Sequence, residues 1–315
     1  DGDPANLQPR AKGDAPVVHH GVGARGLSRG HEGPRRLQVD HHSIIGHGHV
    51  EQGVPCQDSA GSAIFADGRA FAAVADGCSS VRGRTEIGAR QIIAAFHDLV
   101  RDDPRAPTDP RLGERLASRF RDYRVTANPL DYYTTLVALV ATRRALEFYL
   151  CGDGAWAVAY DDGTFEVTSI AWYRNAPYYL AIRDSPDIDA MVRDIYAPLA
   201  DGPVQESTIR FRPRADGIDI VTRRERWCPL DEFEYGKSWT VDRDAIPVRA
   251  AAVMTDGIGD IGYAPQYEIV AELLSLPPEP ARDFARDQVV ATARRHAARG
   301  ELPMDDLSLA IVRMD

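Results

Sequence analysis

Five acidic motifs are the parts of this 315-residue sequence best suited to chemistry. Each lies at the end of an apolar segment, beside glycine or another small residue. Mg²⁺ and Mn²⁺ bind carboxylate and carbonyl oxygens, and a neighbouring glycine lets a backbone carbonyl or a water approach the ion closely. Because strand ends from distant parts of a chain can meet in one cleft, the motifs predict a shared site for divalent cations. They are Gln57-Asp58, Asp76-Gly77, Asp153, Asp256-Gly257 with Asp260, and Asp305-Asp306.

A single Asp-Gly pair is weak evidence for such a site, because this dipeptide is common in tight turns. Asp67-Gly68 stands between two apolar runs and is interpreted as a hairpin turn only. The succession of five motifs along a pattern of strands and helices favours a common metal site over five separate turns.

The periodicity of apolar residues predicts the elements that carry these motifs. Strands are expected at 43–50, on either side of Asp67-Gly68, across 134–170 and at 249–261, with a last strand after Asp305. Strands placed before and after paired helices predict an α+β fold rather than regular βαβ alternation. Helical spacing is found in three segments: Ala89, Ile92, Phe96 and Leu99; Leu112, Leu116, Phe120 and Tyr123; Ala285, Val289, Ala293 and His296.

Two segments differ in composition from the rest. Residues 1–40 mix Gly, Pro, Arg and His without apolar periodicity and are predicted to be a disordered leader. Residues 183–248 are rich in Asp, Pro and Arg and less regular, so they are interpreted as a candidate insertion within a catalytic domain at 41–315.

In this order the motifs resemble those of the metal-dependent protein serine/threonine phosphatases of type 2C, bacterial branch. The resemblance runs from Gly46 to Val312, with 183–248 poorly matched. It implies a four-layer α-β-β-α sandwich, in which two antiparallel sheets are flanked by helices. It also implies the hydrolysis of phosphoserine and phosphothreonine in proteins by a metal-activated water. The matching sequences are GHGH from Gly46, PCQD from Pro55, ADGCSS from Ala75, TTL from Thr134, GDG from Gly152, TDGI from Thr255 and DDLS from Asp305.

The resemblance implies a role for each motif in holding two Mn²⁺ or Mg²⁺ ions. Asp76 corresponds to the carboxylate that bridges both ions, and the Gly77 carbonyl to a ligand of the second. Asp256 and Asp305 correspond to the remaining ligands of the first ion. Asp58 matches an acidic position near the second ion, while Asp153 and Asp260 match positions that hold a third, weaker ion. Asp76 and His49 are the candidate catalytic residues, with a structural histidine as the alternative for His49.

Three departures from the family pattern leave an alternative function open. Gly53 stands where relatives carry a phosphate-binding arginine, Cys78 where they carry a histidine, and Gln57 where they carry a charged ligand. These losses are compatible with a catalytically silent domain that binds a phosphoprotein or regulates a kinase. The retained Asp76, Gly77 and Asp256, together with Asp305, favour the enzyme. A cysteine nucleophile is disfavoured, because aspartates near Cys56, Cys78 and Cys151 would raise the thiol pKa.

Composition excludes several classes of partner. A net charge of -10 argues against binding to nucleic acid, which needs a concentrated basic surface. No apolar run is long enough to span a membrane, and four dispersed cysteines fit a reducing cytoplasm. The expected partner is a phosphorylated protein in a signalling pathway, the target of a cognate serine/threonine kinase.

Overall fold

The computed structural model describes residues 37–78, 84–261, 264–277 and 282–314. Its strands are β1 (Leu37–Ile44), β2 (Ser59–Ile64), β3 (Ala70–Ala75), β4 (Leu136–Ala141), β5 (Ala145–Cys151), β6 (Gly154–Tyr160), β7 (Phe165–Trp172), β8 (Val204–Arg214), β9 (Gly217–Cys228), β10 (Lys237–Asp242), β11 (Val248–Met254) and β12 (Leu307–Met314). Its α-helices are α1 (His47–Gln52), α2 (Thr85–Asp102), α3 (Leu112–Asp122), α4 (Pro186–Tyr196), α5 (Gln266–Leu273) and α6 (Phe284–Ala297).

These strands form two antiparallel sheets. One sheet has seven strands in the order β1-β12-β11-β6-β7-β8-β9, and the other has five in the order β10-β5-β4-β3-β2. The central strands β3, β4 and β6 are buried along their whole length, as expected for apolar strands that are covered on both faces. The hairpin predicted at Asp67-Gly68 is confirmed between β2 and β3.

Three buried clusters define four layers. The first lies between the two sheets and includes Val137 and Val253. The second packs α2 and α3, through residues such as Phe96, on the outer face of the five-stranded sheet. The third packs α5 and α6, through residues such as Val289, on the seven-stranded sheet. The predicted α+β fold, a four-layer α-β-β-α sandwich, is therefore confirmed.

The sequence-based position of His49 in the first strand is wrong. β1 ends at Ile44, and His49 lies in the short helix α1. The backbone N–H of His47 donates to the Pro303 carbonyl at 2.8 Å, and that of Gly48 donates to the Met304 carbonyl at 3.0 Å. The loop that contains Pro303 and Met304 accepts these bonds. The chain therefore leaves β1 after Ile44 and forms α1 before the predicted strand at 43–50 ends.

The predicted boundary of the leader at residue 40 is also displaced. β1 begins at Leu37, which pairs with Met314 of β12. Leu37 and Val39 pack against the cluster between the sheets, so residues 37–40 belong to the folded domain. The rest of the predicted leader lies outside the described residues.

The segment 183–248 is more regular than its composition suggests. It contains α4, the long hairpin of β8 and β9, and β10. β8 and β9 extend one sheet, and β10 forms the edge of the other. Most of β9 is exposed, and apolar alternation is weak in a strand that covers little of the core. In the part of the chain that the structure describes, no helix is long and apolar enough to cross a membrane.

Candidate metal centre

Asp76 directly follows β3, and the residues just before β4 fix its backbone. The Asp76 N–H donates to Thr135 Oγ1 at 3.1 Å. The Asp76 carbonyl accepts from Thr134 Oγ1 at 2.7 Å and from the Thr135 N–H at 2.8 Å. Gly77 continues this pairing through a bridge to Thr134. Thr134 and Thr135 thus hold the main chain at Asp76 in place. The Asp76 carboxylate therefore extends from a fixed backbone position.

Asp58 links the two sheets. It lies just before β2, and its Oδ2 accepts from the hydroxyl of Thr255 at 2.8 Å. Thr255 follows β11 in the opposite sheet, and its Oγ1 accepts from the Ser308 N–H of β12 at 2.9 Å. These two bonds join three of the five motifs that are distant in sequence.

Asp153 lies in the tight connection from β5 to β6 and is only 5% exposed. The glycines on either side of it adopt positive φ values, 88° at Gly152 and 126° at Gly154. Such backbone conformations are readily available only to glycine, which explains the Gly-Asp-Gly sequence at this turn.

Asp256 and Asp260 lie at the two ends of a 3-10 helix, Asp256–Asp260, that follows β11. A side chain at Gly257 would lie 1.9 Å from the carbonyl oxygen of Asp306. Glycine therefore permits this motif to approach the one that precedes β12. Asp305 lies in that second motif, and its Oδ1 accepts from the Asp306 N–H at 2.8 Å.

The carboxylates of this cluster act on one another. Burial raises the pKa of Asp76 well above its usual value, and the charges of three other aspartates raise it further. Burial likewise raises the pKa of Asp58 to about 8. Burial and then the charge of Asp305 raise the pKa of Asp256 to about 6. The three neighbours that act on Asp76 are Asp58, Asp256 and Asp153.

Asp153 and Asp260 belong to the same electrostatic cluster. Burial raises the pKa of Asp153 well above its usual value, and the charge of Asp256 adds to this effect. Asp260 is exposed, yet its charge contributes to the raised pKa of Asp256. The structure therefore brings together all six aspartates that were predicted as metal ligands.

The residues present fit a divalent cation. Gln57 Oε1 and Asp58 Oδ1 are buried and have no hydrogen-bond partner among the described residues. Buried polar atoms are rarely left without a partner, so an ion or its bound water is the expected neighbour. Carboxylate, amide and backbone carbonyl oxygens are the donors that Mg²⁺ and Mn²⁺ prefer. A cation would also relieve the mutual repulsion that raises the carboxyl pKa values.

Asp306 is a buried residue that the sequence did not single out for a role of its own. Its Oδ1 accepts from the Gly46 N–H at 2.8 Å, and its Oδ2 accepts from the Gln57 N–H at 2.6 Å. His49 Nδ1 lies 3.0 Å from Asp306 Oδ1, and His49 Nε2 lies 3.7 Å from Asp305 Oδ1. Asp306 thus connects α1, the loop before β2 and the start of β12. The sequence feature that could have indicated this role is the position of Asp306, a second carboxylate directly before the apolar strand β12.

His49, Asp305 and Asp306 also form a compact group of donors, with ligand atoms within 4.8 Å of one another. Both oxygens of Asp306 already accept backbone hydrogen bonds. Asp306 therefore has little remaining capacity to bind a separate ion in this group.

Cys78 lies beside a pair of tyrosines that the sequence did not indicate. Its N–H donates to the Tyr133 carbonyl at 2.9 Å. The rings of Tyr133 and Tyr179 are stacked, with centroids 5.4 Å apart. Burial is the main cause that raises the pKa of Tyr179, and Cys78 adds to it. For Cys56, burial and the charges of nearby aspartates raise the thiol pKa, as the sequence predicted.

Comparisons with known proteins agree with this arrangement. A family model described as Protein phosphatase 2C matches residues 45–302. A crystal structure of a bacterial serine phosphatase aligns with a TM-score of 0.52 at 11% identity, covering 89% of this chain and 98% of that one. The serine/threonine phosphatase Stp1 from Staphylococcus aureus aligns with a TM-score of 0.51 at 11% identity, covering 92% and 99%. No curated protein sequence gives a significant match.

The family match covers most of the chain, and the fold and the clustered aspartates agree with it. The chain belongs to the protein phosphatase 2C family and has the fold of a metal-dependent phosphatase.

Proposed function

We propose that this protein hydrolyses phosphoserine and phosphothreonine in proteins, with two Mn²⁺ or Mg²⁺ ions as cofactors. The observation that carries the proposal is the cluster of aspartates from both sheets, whose charges raise one another's pKa. A set of buried carboxylates is costly to keep ionised, and divalent cations offset that cost.

Each residue of the cluster has a defined task in this proposal. Asp76 would contact both ions, and the Gly77 carbonyl with Asp58 and Gln57 would hold the second. Asp256 and Asp305 would hold the first ion. Asp153 and Asp260 would hold a third, weaker ion.

Bound cations of this kind lower the pKa of water and neutralise charge that develops on a phosphoryl group. Neighbouring residues of the chain hold these aspartates in position. Thr134 and Thr135 fix the backbone of Asp76, and Thr255 orients Asp58. His49 lies between Asp305 and Asp306, and its Nε2 is placed to hold or pass a proton beside Asp305.

The expected substrate is a phosphorylated protein, the target of a cognate serine/threonine kinase in the cytoplasm. The four cysteines are free thiols, which supports a reducing compartment. The chain's acidic balance gives no support for nucleic acid as a partner.

A silent domain that binds a phosphoprotein is the second candidate, and the three departures from the family pattern favour it. One of them has a structural reason. Gly53 ends α1 with a φ of 66°, a conformation that disfavours the arginine found in relatives. The loss of that arginine removes one phosphate contact but leaves the aspartate cluster intact.

Phosphate release from a phosphothreonine peptide, measured with Mn²⁺ and with chelator, distinguishes the two functions. We expect turnover with Mn²⁺ and none with chelator. Peptide binding without release of phosphate at any Mn²⁺ concentration would establish the silent domain instead. Turnover that persists in chelator would remove the cations from the reaction.

A further inference from the structure

Arg174 lies just beyond the edge of the seven-stranded sheet that carries three of the predicted metal ligands. Asp153 directly precedes β6, and Asp256 and Asp305 lie within two residues of the ends of β11 and β12 at the same edge. β7 runs antiparallel to β6 and ends at this edge with Trp172. Arg174 comes two residues later, so the topology places its backbone at the same edge as these aspartates.

Two contacts hold the loop that follows β7 close to the aspartate cluster. The indole N–H of Trp172 donates to the Gly152 carbonyl at 2.7 Å, directly beside Asp153. The hydroxyl of Tyr196 donates to the Ala176 carbonyl. Burial is the main cause that raises the pKa of Tyr196 to about 12, and the charge of Asp153 adds to it. Because neighbouring strands lie about 4.8 Å apart, the loop begins roughly 5 Å across the sheet from the Gly-Asp-Gly turn.

The backbone at Arg174 has a conformation that arginine rarely adopts. Its φ is 56° and its ψ is 26°, and Asn175 has a φ of 54°. Two successive positive φ values are typical of a type I′ turn, in which asparagine and glycine are favoured. Among the described residues, no other residue except glycine has a positive φ. Asn175 suits this turn, whereas an arginine in it is unfavourable, and such backbone strain is found mainly at functional sites.

The Arg174 side chain is exposed and available to an anion. It forms no ion pair or hydrogen bond with a described residue, and its guanidinium packs over the ring of Tyr173 at 5.2 Å from the centroid. A guanidinium presents a planar fork of N–H donors that matches the oxygens of a phosphate group. Arg174 therefore offers an unused anion contact at the edge of the sheet where the aspartates meet.

We propose that Arg174 binds the phosphoryl group of the substrate, in place of the arginine that relatives carry at the position of Gly53. This inference rests on the proposed function, in which the phosphoryl group lies at the aspartate cluster. The strained turn is retained because it sets an arginine beside that cluster.

Steady-state kinetics with two substrates test this contact. Arg174→Ala should raise KM about tenfold or more for a phosphothreonine peptide and for an aryl phosphate, with kcat within about threefold of the parent value. The aryl phosphate has no flanking residues. A rise in KM for the peptide alone would therefore place the arginine on an acidic residue next to the phosphothreonine and overturn the proposal.

Calorimetric titration with inorganic phosphate in the presence of Mg²⁺ tests the same contact without turnover. Arg174→Ala should weaken phosphate binding about tenfold. If the parent protein binds phosphate through Arg174 but hydrolyses neither substrate, the proposed function fails and the phosphate contact stands.

Arg144→Ala is the matched control for the loss of one positive charge. Arg144 is exposed and forms no ion pair with a described residue. It lies in the turn between β4 and β5, at the far end of β5 from Asp153. This variant should bind phosphate as the parent protein does.

Arg174→Gly separates the side chain from the backbone. Glycine adopts a φ of 56° freely, so this variant should have a Tm at least as high as that of the parent protein. It should nevertheless bind phosphate as weakly as Arg174→Ala. The proposal is overturned if the parent protein does not bind phosphate at millimolar concentration, if Arg174→Gly binds it as tightly as the parent, or if Arg144→Ala weakens binding as much as Arg174→Ala does.

Discussion

Asp76 is a buried residue whose pKa is raised by three other aspartates in addition to burial. We predict that Asp76→Asn lowers the rate of phosphopeptide hydrolysis about a hundredfold or more, since an amide holds two cations poorly. The fold should persist, because the backbone bonds to Thr134 and Thr135 do not involve the side chain. Initial rates at saturating Mn²⁺ and a far-UV CD spectrum provide the measurements.

Asp67→Asn is the matched control for this substitution. Asp67 also precedes a glycine, but it lies in the hairpin turn and pairs with Arg69 at 2.7 Å. Its substitution should leave the rate within about twofold of the parent, because it lies in a turn outside the aspartate cluster. If both variants lost the same fraction of the hydrolysis rate, the Asp76-Gly77 pair would matter only as a turn and not as a cation ligand.

Cys78 occupies the position where relatives carry a histidine able to protonate a leaving alkoxide. A general acid contributes about a hundredfold, mainly for poor leaving groups. We predict that Cys78→His raises turnover of phosphoserine more than turnover of an aryl phosphate, whose phenolate leaves without help. The ratio of kcat values for the two substrates measures the effect.

His49 is another candidate for supplying this proton, since its Nε2 lies 3.7 Å from Asp305 Oδ1. If the parent protein is already fast on phosphoserine and loses this rate in His49→Ala, the acid is His49. An equal gain on both substrates in Cys78→His would refute the leaving-group argument.

At the scale of elements, β1 and α6 are joined by one carboxylate. Asp40 Oδ2 accepts from the Ala285 N–H in the first turn of α6 at 2.7 Å. It thus performs the task of a helix N-cap from a neighbouring strand. We predict that Asp40→Ala lowers the free energy of unfolding by about 1–2 kcal/mol, because a helix N–H loses its acceptor. Denaturant unfolding followed by CD measures the change.

Asp40→Asn keeps an acceptor oxygen at the same position and should recover most of the lost stability. If the alanine and asparagine variants unfold at the same denaturant concentration as the parent, this bond does not stabilise the contact between β1 and α6.

At the scale of the whole molecule, the two sheets bring acidic residues together and cations should stabilise the assembly. Raised pKa values mean that the folded protein binds protons more tightly than the unfolded chain. Stability of the metal-free protein should therefore fall as pH rises through about 6 for Asp256 and about 8 for Asp58. We predict that Mg²⁺ raises Tm, and raises it more at pH 8 than at pH 6.

Thermal unfolding with Mg²⁺ and with chelator at both pH values measures this effect. A cation at a hundred times its Kd stabilises a folded protein by about 2.7 kcal/mol. A double variant, Asp256→Asn with Asp305→Asn, should show a smaller rise of Tm with Mg²⁺ than the parent protein, because it lacks two of the ligands proposed for the first ion. A parent protein whose Tm does not respond to Mg²⁺ would contradict a cation site between the sheets.

Local sequence was sufficient to predict the motifs and most elements of this protein. The helices at Ala89–Leu99 and Leu112–Phe120 followed from apolar spacing, and the turn at Asp67-Gly68 followed from its residue types. These features depend on neighbours within a few residues, so the chain specifies them directly. The segment 183–248 was harder to interpret from sequence, because a largely exposed hairpin has weak apolar alternation to signal it.

Long-range contacts decided the rest. That Asp58 and Thr255 meet, 197 residues apart, depends on how the two sheets face each other. His49 belongs to a helix because the chain at Pro303 and Met304 accepts the hydrogen bonds of its neighbours. The sequence by itself determined which residues carry charge and which segments are apolar, and the tertiary structure decided where several strands end and which of those ends meet, because burial and pairing depend on residues far away in the chain.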